Sequence, residues 1–320
     1  MAILVVGSVA FDSIETPKGK AEKCLGGAAT HFALAASFFT EVRVIAVVGE
    51  DFGPEQEAVF ERRNIDISGI EHAPGKSFHW TGAYSGAMNE AKTLGTDLNV
   101  FATFAPKIPD PYSDSEFLFL ANIDPVLQAR VRAQMPDAKL VCGDTMNYWI
   151  ADHRDALNKV LAELDVLLIN DGEAKMLAGG EPNMVLAAHK VLELGPKSVV
   201  IKHGEYGATA FFSERSFHGE VVAPFRAPAL PIAEVVDPTG AGDSFAGGFY
   251  GYIASQPRLT PAVFRRALFY GGVMGSFAVE RFGTARLEAV TREQIETRLK
   301  LFIELSHLER AEEHAPGSRA

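Results

Sequence analysis

Between Val235 and Ala254 the chain reads VVDPTGAGDSFAGGFYGYIA, a strand-like start running through Gly240-Ala241-Gly242 into Asp243 and an apolar helical pattern. Residues this small let a backbone approach a ligand closely. The N–H groups of a first helical turn point at whatever sits there, and the helix dipole favours negative charge. Such a turn can stabilise the charge that develops on a transferring phosphoryl group. Asp243, at its mouth, is placed to accept a proton from an attacking hydroxyl. The alternative is that Asp243 is an ordinary N-cap and the glycines serve tight helix packing.

The run DPTGAGDSFAGGFY resembles, position by position, the C-terminal signature of the PfkB carbohydrate kinases, the ribokinase-like family. The resemblance implies that Asp243 is the catalytic base and that Gly240, Ala241 and Gly242 form the anion hole. Other segments recur in the family's order over roughly residues 2–300. Gly7 and Asp12, in GSVAFDSI, stand where the family has a Gly and an Asp that bonds substrate hydroxyls. A carboxylate suits that task, accepting two hydroxyl bonds and rejecting deoxy analogues; the alternative for Asp12 is a turn residue. Gly26-Gly27 resembles the family's di-glycine at the sugar site. His31 departs from the pattern, since the family usually has Asn there; direct substrate contact and a packed core histidine both remain open.

Asn170 and Glu173, in LINDGEAKML, are similar to the family's N-x-x-E element, which organises Mg²⁺ largely through water. Magnesium keeps several waters, so one carboxylate suffices; the alternative is helix capping by Asn170 and Asp171. Lys202–Gly207, in VVIKHGEYGATAF, resembles the nucleotide segment and implies Lys202 or His203 near phosphates or ribose, with Gly204 and Gly207 shaping the turn. Gly271–Val279 and Arg281–Ala285 resemble the adenine wall, where the small residues Gly272 and Gly275 would leave room for a purine, with Gly283 in the turn. The family also implies a monovalent cation, K⁺, near Asp237 and Thr239. ATP and Mg²⁺ are the expected donor and cofactor.

These residues need a scaffold that brings strand ends together. Short apolar runs at Ile3–Gly7, Val42–Val48, Phe117–Leu120, Leu140–Cys142, Val166–Ile169 and Ser198–Lys202 alternate with helical patterns at Ala28–Phe39, Pro125–Gln134, Arg154–Glu163 and Met184–Leu194. That alternation predicts an α/β fold with a doubly wound, mostly parallel sheet. Two stretches break it. Residues 11–25 read as polar and loop-like, and residues 77–104 hold two period-two segments, SFHWTGAY and TDLNVFATF. Together they predict a small β-sheet lid inserted at about 11–25 and 77–104 of a ribokinase-like domain over 1–305; an edge hairpin of the main sheet is the alternative. Phe78, Trp80 and Tyr84 share one strand face there, suited to stacking on a base or sugar, to closing the lid, or to homodimerisation through it. Thr260-Pro261 and Thr291…Gln294 mark helix starts, and 306–320 read as a flexible tail.

The net charge of −11 argues against nucleic-acid or membrane-surface partners. Two cysteines without ligand spacing, Cys24 and Cys142, fit a cytoplasmic protein. The apolar start reads as a strand and not a signal peptide, and no window is long enough for a transmembrane helix. No G-x-G-x-x-G follows the first strand and no Walker A motif occurs, which disfavours a dinucleotide oxidoreductase and a P-loop ATPase. A catalytically silent binding protein on the same fold is the remaining alternative. Sugar and nucleoside acceptors both offer a primary hydroxyl beside vicinal hydroxyls, and the aromatic lid leans towards a nucleoside.

Overall fold

The computed structural model describes residues 1–86, 88–89, 91–217 and 219–307. The expected tail from about Leu308 lies outside the described residues. The strands of the first half are β1 (Ala2–Val6), β2 (Ala10–Thr16), β3 (Gly19–Gly26), β4 (Glu41–Val48), β5 (Asp66–His72), β6 (His79–Tyr84) and β7 (Ala91–Asp97). Those of the second are β8 (Phe117–Leu120), β9 (Leu140–Asp144), β10 (Val166–Asn170), β11 (Ser198–Lys202), β12 (Ala208–Phe212) and β13 (Phe225–Ala227). The first helices are α1 (Ala28–Ala36), α2 (Pro54–Glu61), α3 (Pro125–Gln134), α4 (Asn147–Asp152) and α5 (Arg154–Leu161). The rest are α6 (Asp171–Leu177), α7 (Met184–Glu193), α8 (Ala241–Ala254), α9 (Pro261–Ala278), α10 (Ala285–Ala289) and α11 (Arg292–Ser306).

Nine strands form one sheet in the order β13-β12-β11-β10-β9-β8-β1-β4-β5. The run from β11 to β5 is parallel, and β12 and β13 close one edge antiparallel. All six expected strands are present to within two residues. Their side chains divide by parity: Ile3 and Val5 join a core with α1, α8 and α9, whereas Leu4 and Val6 join a second core with α3, α5, α6 and α7. Both faces are therefore covered, which is why these strands carry unbroken apolar runs.

The remaining four strands form a separate sheet in the order β3-β2-β6-β7. This corrects two expectations. Residues 11–25 are not a loop but the hairpin of β2 and β3. Of the two alternating segments only the first is a strand; the second turns into a 3₁₀ helix at Asn99–Thr103, and β7 lies earlier, at Ala91–Asp97. Nor is the unit an edge hairpin of the main sheet. Two hydrogen bonds fasten it to the segment before α8: Thr16 Oγ1 donates to Val236 O at 2.9 Å and Thr239 Oγ1 to Tyr84 Oη at 3.1 Å. The expected caps form as well, Thr260 accepting from Val263 N and Thr291 exchanging bonds with Gln294.

Candidate active site

The C-terminal ends of β1, β9, β10 and β11 open on one edge of the main sheet, the edge where ligands gather in open α/β folds. Helix α8 aims its first turn at it. Its N-cap is Gly240, at φ 71° and ψ 2°, a left-handed conformation that favours glycine. The alternative reading of Asp243 as the N-cap is thereby overturned: Asp243 is the third helical residue, and no side chain caps this helix. The packing role falls to other glycines. A Cβ at Gly247 would meet Phe32 O at 2.3 Å, and one at Gly248 would meet Tyr270 O at 2.6 Å. Ala241 N is used within the turn, donating to Pro238 O at 3.2 Å, while the amides of Gly242 and Asp243 find no main-chain acceptor among the described residues.

Lys202, the last residue of β11, extends across this turn; a Cβ on Gly242 would lie 2.8 Å from its Nζ. Three carboxyl groups surround the ammonium. Burial pushes Asp243 above the ordinary carboxylate range, with Lys202 pulling it back. Asp144, at the end of β9, is pushed well above that range by burial and by the charge of Asp243. Burial raises Glu173 too, against Lys202 and a bond from the Asn170 amide. The N-x-x-E element is a capping box: Asn170 N donates to Glu173 Oε2 at 2.7 Å and Glu173 N to Asn170 Oδ1 at 2.8 Å. Capping and delivery of Glu173 to the site are thus one feature. Asp144, given no role from sequence, stands buried in this cluster with Oδ1 lacking a hydrogen-bond partner, as does Thr145 Oγ1 beside it. Only tertiary structure brings it to Asp243, so its sequence position after an apolar strand was its sole signal.

Across the site the small sheet presents Asp12, 5% exposed, with its carboxylate over Gly26, where a Cβ would lie 2.0 Å from Oδ2. Gly27, at φ 94°, packs against Ser8 O. Burial, with the charges of Asp237 and Asp243, pushes Asp12 up to about 7, against a backbone bond from Gly27. In register with Asp12 on β6 is Trp80, whose ring lies over Gly82 with Nε1 3.3 Å from Thr93 Oγ1. The indole is therefore a flat plate on the same face as Asp12. His31 is a core histidine in this state: both ring nitrogens are buried without partners, and burial lowers it to about 4, leaving it neutral. Its ring lies 2.4 Å from where a Cβ on Gly240 would be, so it backs the turn directly.

Asp237 is fully buried and accepts from Thr239 N and Gly283 N, both at 2.9 Å, joining the turn to the segment expected at the nucleotide. Of the two candidates there, His203 is engaged by Asp171 Oδ2 and Thr209 Oγ1, at 3.3 and 3.0 Å, so Lys202 is the residue facing the site. Gly204 looks across to Asn89 between β6 and β7, and Gly207, at φ 95°, packs on Ala227 O. Gly272, expected to leave room for a purine, instead faces Phe302 of α11. Among the described residues no three His, Cys, Asp or Glu side chains form a direct metal cage. That donor set fits an ion that keeps its waters beside Glu173.

Open helix amides with one cation across them have the chemistry to hold phosphoryl oxygens, and buried carboxyl groups on both sides have the chemistry to accept hydroxyl protons. Over 265 residues the chain is 30% identical to a cytidine kinase of Thermococcus kodakarensis, covering 80% of this chain and 90% of that enzyme. A nucleoside kinase of Burkholderia thailandensis in complex with inosine superposes with a TM-score of 0.73 at 19% identity, over 94% of this chain and 99% of that one. A putative ribokinase II of E. coli in complex with ATP and Mg²⁺ superposes at 0.74 and 20% identity, over 95% and 99%. The profile of the pfkB family carbohydrate kinases matches residues 2–290. The chain belongs to the PfkB family of carbohydrate kinases.

Proposed function

We propose that the protein is an ATP-dependent kinase that transfers the γ-phosphoryl group to a primary hydroxyl of a nucleoside, with Asp243 as the base. The observation that carries this is Asp243 in the first turn of α8, between the open amides of Gly242 and Asp243 and the Lys202 ammonium. Asp243 orients the attacking hydroxyl and takes its proton as the O–P bond forms. The amides and Lys202 hold the oxygens of the transferring group, so positioning and charge do most of the work. Asp12, ionised, accepts vicinal hydroxyls of the acceptor. Glu173 is the residue that would hold Mg²⁺ through water, and the ion when bound neutralises phosphate charge. The Trp80 plate beside Asp12 supports a nucleoside over a free sugar, since a base offers a larger flat π-face to stack on it than a ribose ring does. The cytidine kinase relative is consistent with that choice.

The test is ADP release with Mg²⁺-ATP against cytidine, adenosine, inosine, ribose and fructose. Turnover is expected on nucleosides, with Asp243→Asn losing about three orders of magnitude in kcat. Turnover confined to free sugars would overturn the substrate class. Robust turnover by Asp243→Asn would sink the base assignment, and ATP binding without turnover on any acceptor would favour a silent binding protein.

A further inference from the structure

Tyr84 is the last residue of β6 and shares the Asp12 face of the small sheet, yet its hydroxyl meets the opposite side of the site. Thr239 Oγ1 donates to it at 3.1 Å. Thr239 is the residue before Gly240, and its own amide is held by Asp237 at 2.9 Å. The phenol oxygen is thus bonded to the turn that opens α8. Because that oxygen accepts from Thr239, its own proton remains to be donated, and among the described residues no acceptor takes it. A tyrosine phenol ordinarily keeps its proton well above neutral pH.

The sheet holds one half of the site through Asp12 and the turn holds the other through Gly240–Asp243. We infer that Tyr84 is a positioning residue that couples the two: its bond with Thr239 forms when the small sheet is closed, fixes the turn in its open-amide geometry, and leaves the phenol O–H to donate to an oxygen of the transferring phosphoryl group. The inference rests on the kinase reading above, and it names what holds the turn assembled against the small sheet. Without the bond, the turn forms less completely and ATP is more often cleaved by water.

The experiment compares wild type, Tyr84→Phe, Thr239→Val and the double variant. Phenylalanine keeps the ring and removes only the hydroxyl. Expected for Tyr84→Phe is a kcat lower by roughly 10- to 100-fold, an acceptor KM within about threefold, and more ADP released than phosphorylated product formed. Hydrogen exchange of the β6 and β7 amides in the ligand-free protein is expected to quicken by roughly fivefold, the loss of one hydrogen bond. The double variant should be no worse than the poorer single one, since both remove the same bond. Additive losses, or unchanged exchange together with unchanged kcat and coupling, would overturn the inference. The exchange readout separates the two readings: quickened exchange in a wild-type background that phosphorylates nothing supports the tie and refutes the kinase assignment. Unchanged exchange and kcat beside an active wild type refutes Tyr84 alone.

Discussion

The two edges of the main sheet treat charge in opposite ways. At the N-terminal edge of the parallel strands, Lys139 pairs with Glu116, Lys197 with Asp165 at 2.6 Å, and Arg43 with Asp114 and Glu41. Asp165 also accepts from Val141 N at 2.7 Å. At the C-terminal edge of the same strands, Asp12, Asp144, Glu173, Asp243 and Lys202 form no ion pair within 4.0 Å among the described residues. The carboxyl groups there are buried and their pKa values pushed up. Burying acids without pairing them costs stability, and a fold tolerates that cost at a functional site. One edge is finished as a structure; the other is left electrostatically incomplete, in the form a polyphosphate and its cation would complete.

Removing one cation from each edge puts this contrast at risk. Lys202→Met is expected to lower kcat/KM by about 10²- to 10³-fold, as a charged donor to the transferring group is lost. It should also move the acid limb of the kcat–pH profile upward, because Asp243 loses the charge that holds it down. A profile left in place would show that Lys202 does not act on Asp243. Next in size is the pH dependence of acceptor binding. With Asp12 near 7, its ionised form is lost below that value, so KM should rise by up to about tenfold per pH unit, measured by initial rates from pH 8 to 5.5. The stability effect has the opposite sense: native Asp12 keeps a proton that the unfolded chain releases above 3.8, so its contribution falls as pH rises from about 4 to 7. An Asp12→Asn variant should flatten both. The smallest effect belongs to the finished edge, where Lys139→Met should cost less than about 1 kcal/mol by denaturant unfolding and leave kcat/KM unchanged, because its pair with Glu116 is solvent-screened. A large kinetic defect there would erase the distinction between the edges.

The finished parts of the molecule were also the legible ones. The parallel strands are buried on both faces and announce themselves as unbroken apolar runs such as AILVV and FLFL. The small sheet has no such signature. β3, GKAEKCLG, has a single fully buried residue and reads as loop, and the edge strand β7, AKTLGTD, has little apolar surface to show. TDLNVFATF does alternate, but Asn99 takes a left-handed conformation, φ 49°, and the chain coils instead of extending. In the site, the GAGD turn, Asp12 and Lys202 were visible because local chemistry and order along the chain mark them. Asp144 and the Tyr84–Thr239 bond were not, the latter spanning 155 positions that no local pattern connects. Gly272 misled because a small residue in an apolar helix serves a neighbouring ring as well as it would a ligand.

The glycine face of α8 sets which half of the machine can move. At Gly247, Gly248 and Gly251 the helix touches the backbones of α1 and α9 with only hydrogen atoms between, a Cβ at these positions coming within 2.3, 2.6 and 2.9 Å of a neighbouring atom. A helix wedged backbone to backbone cannot slide or roll without lifting its neighbours, so its first turn behaves as an anvil whose height is set by the glycines behind it. Any opening stroke therefore belongs to the four-stranded sheet, and a single methyl group added on that face would shift the anvil rather than loosen the hammer.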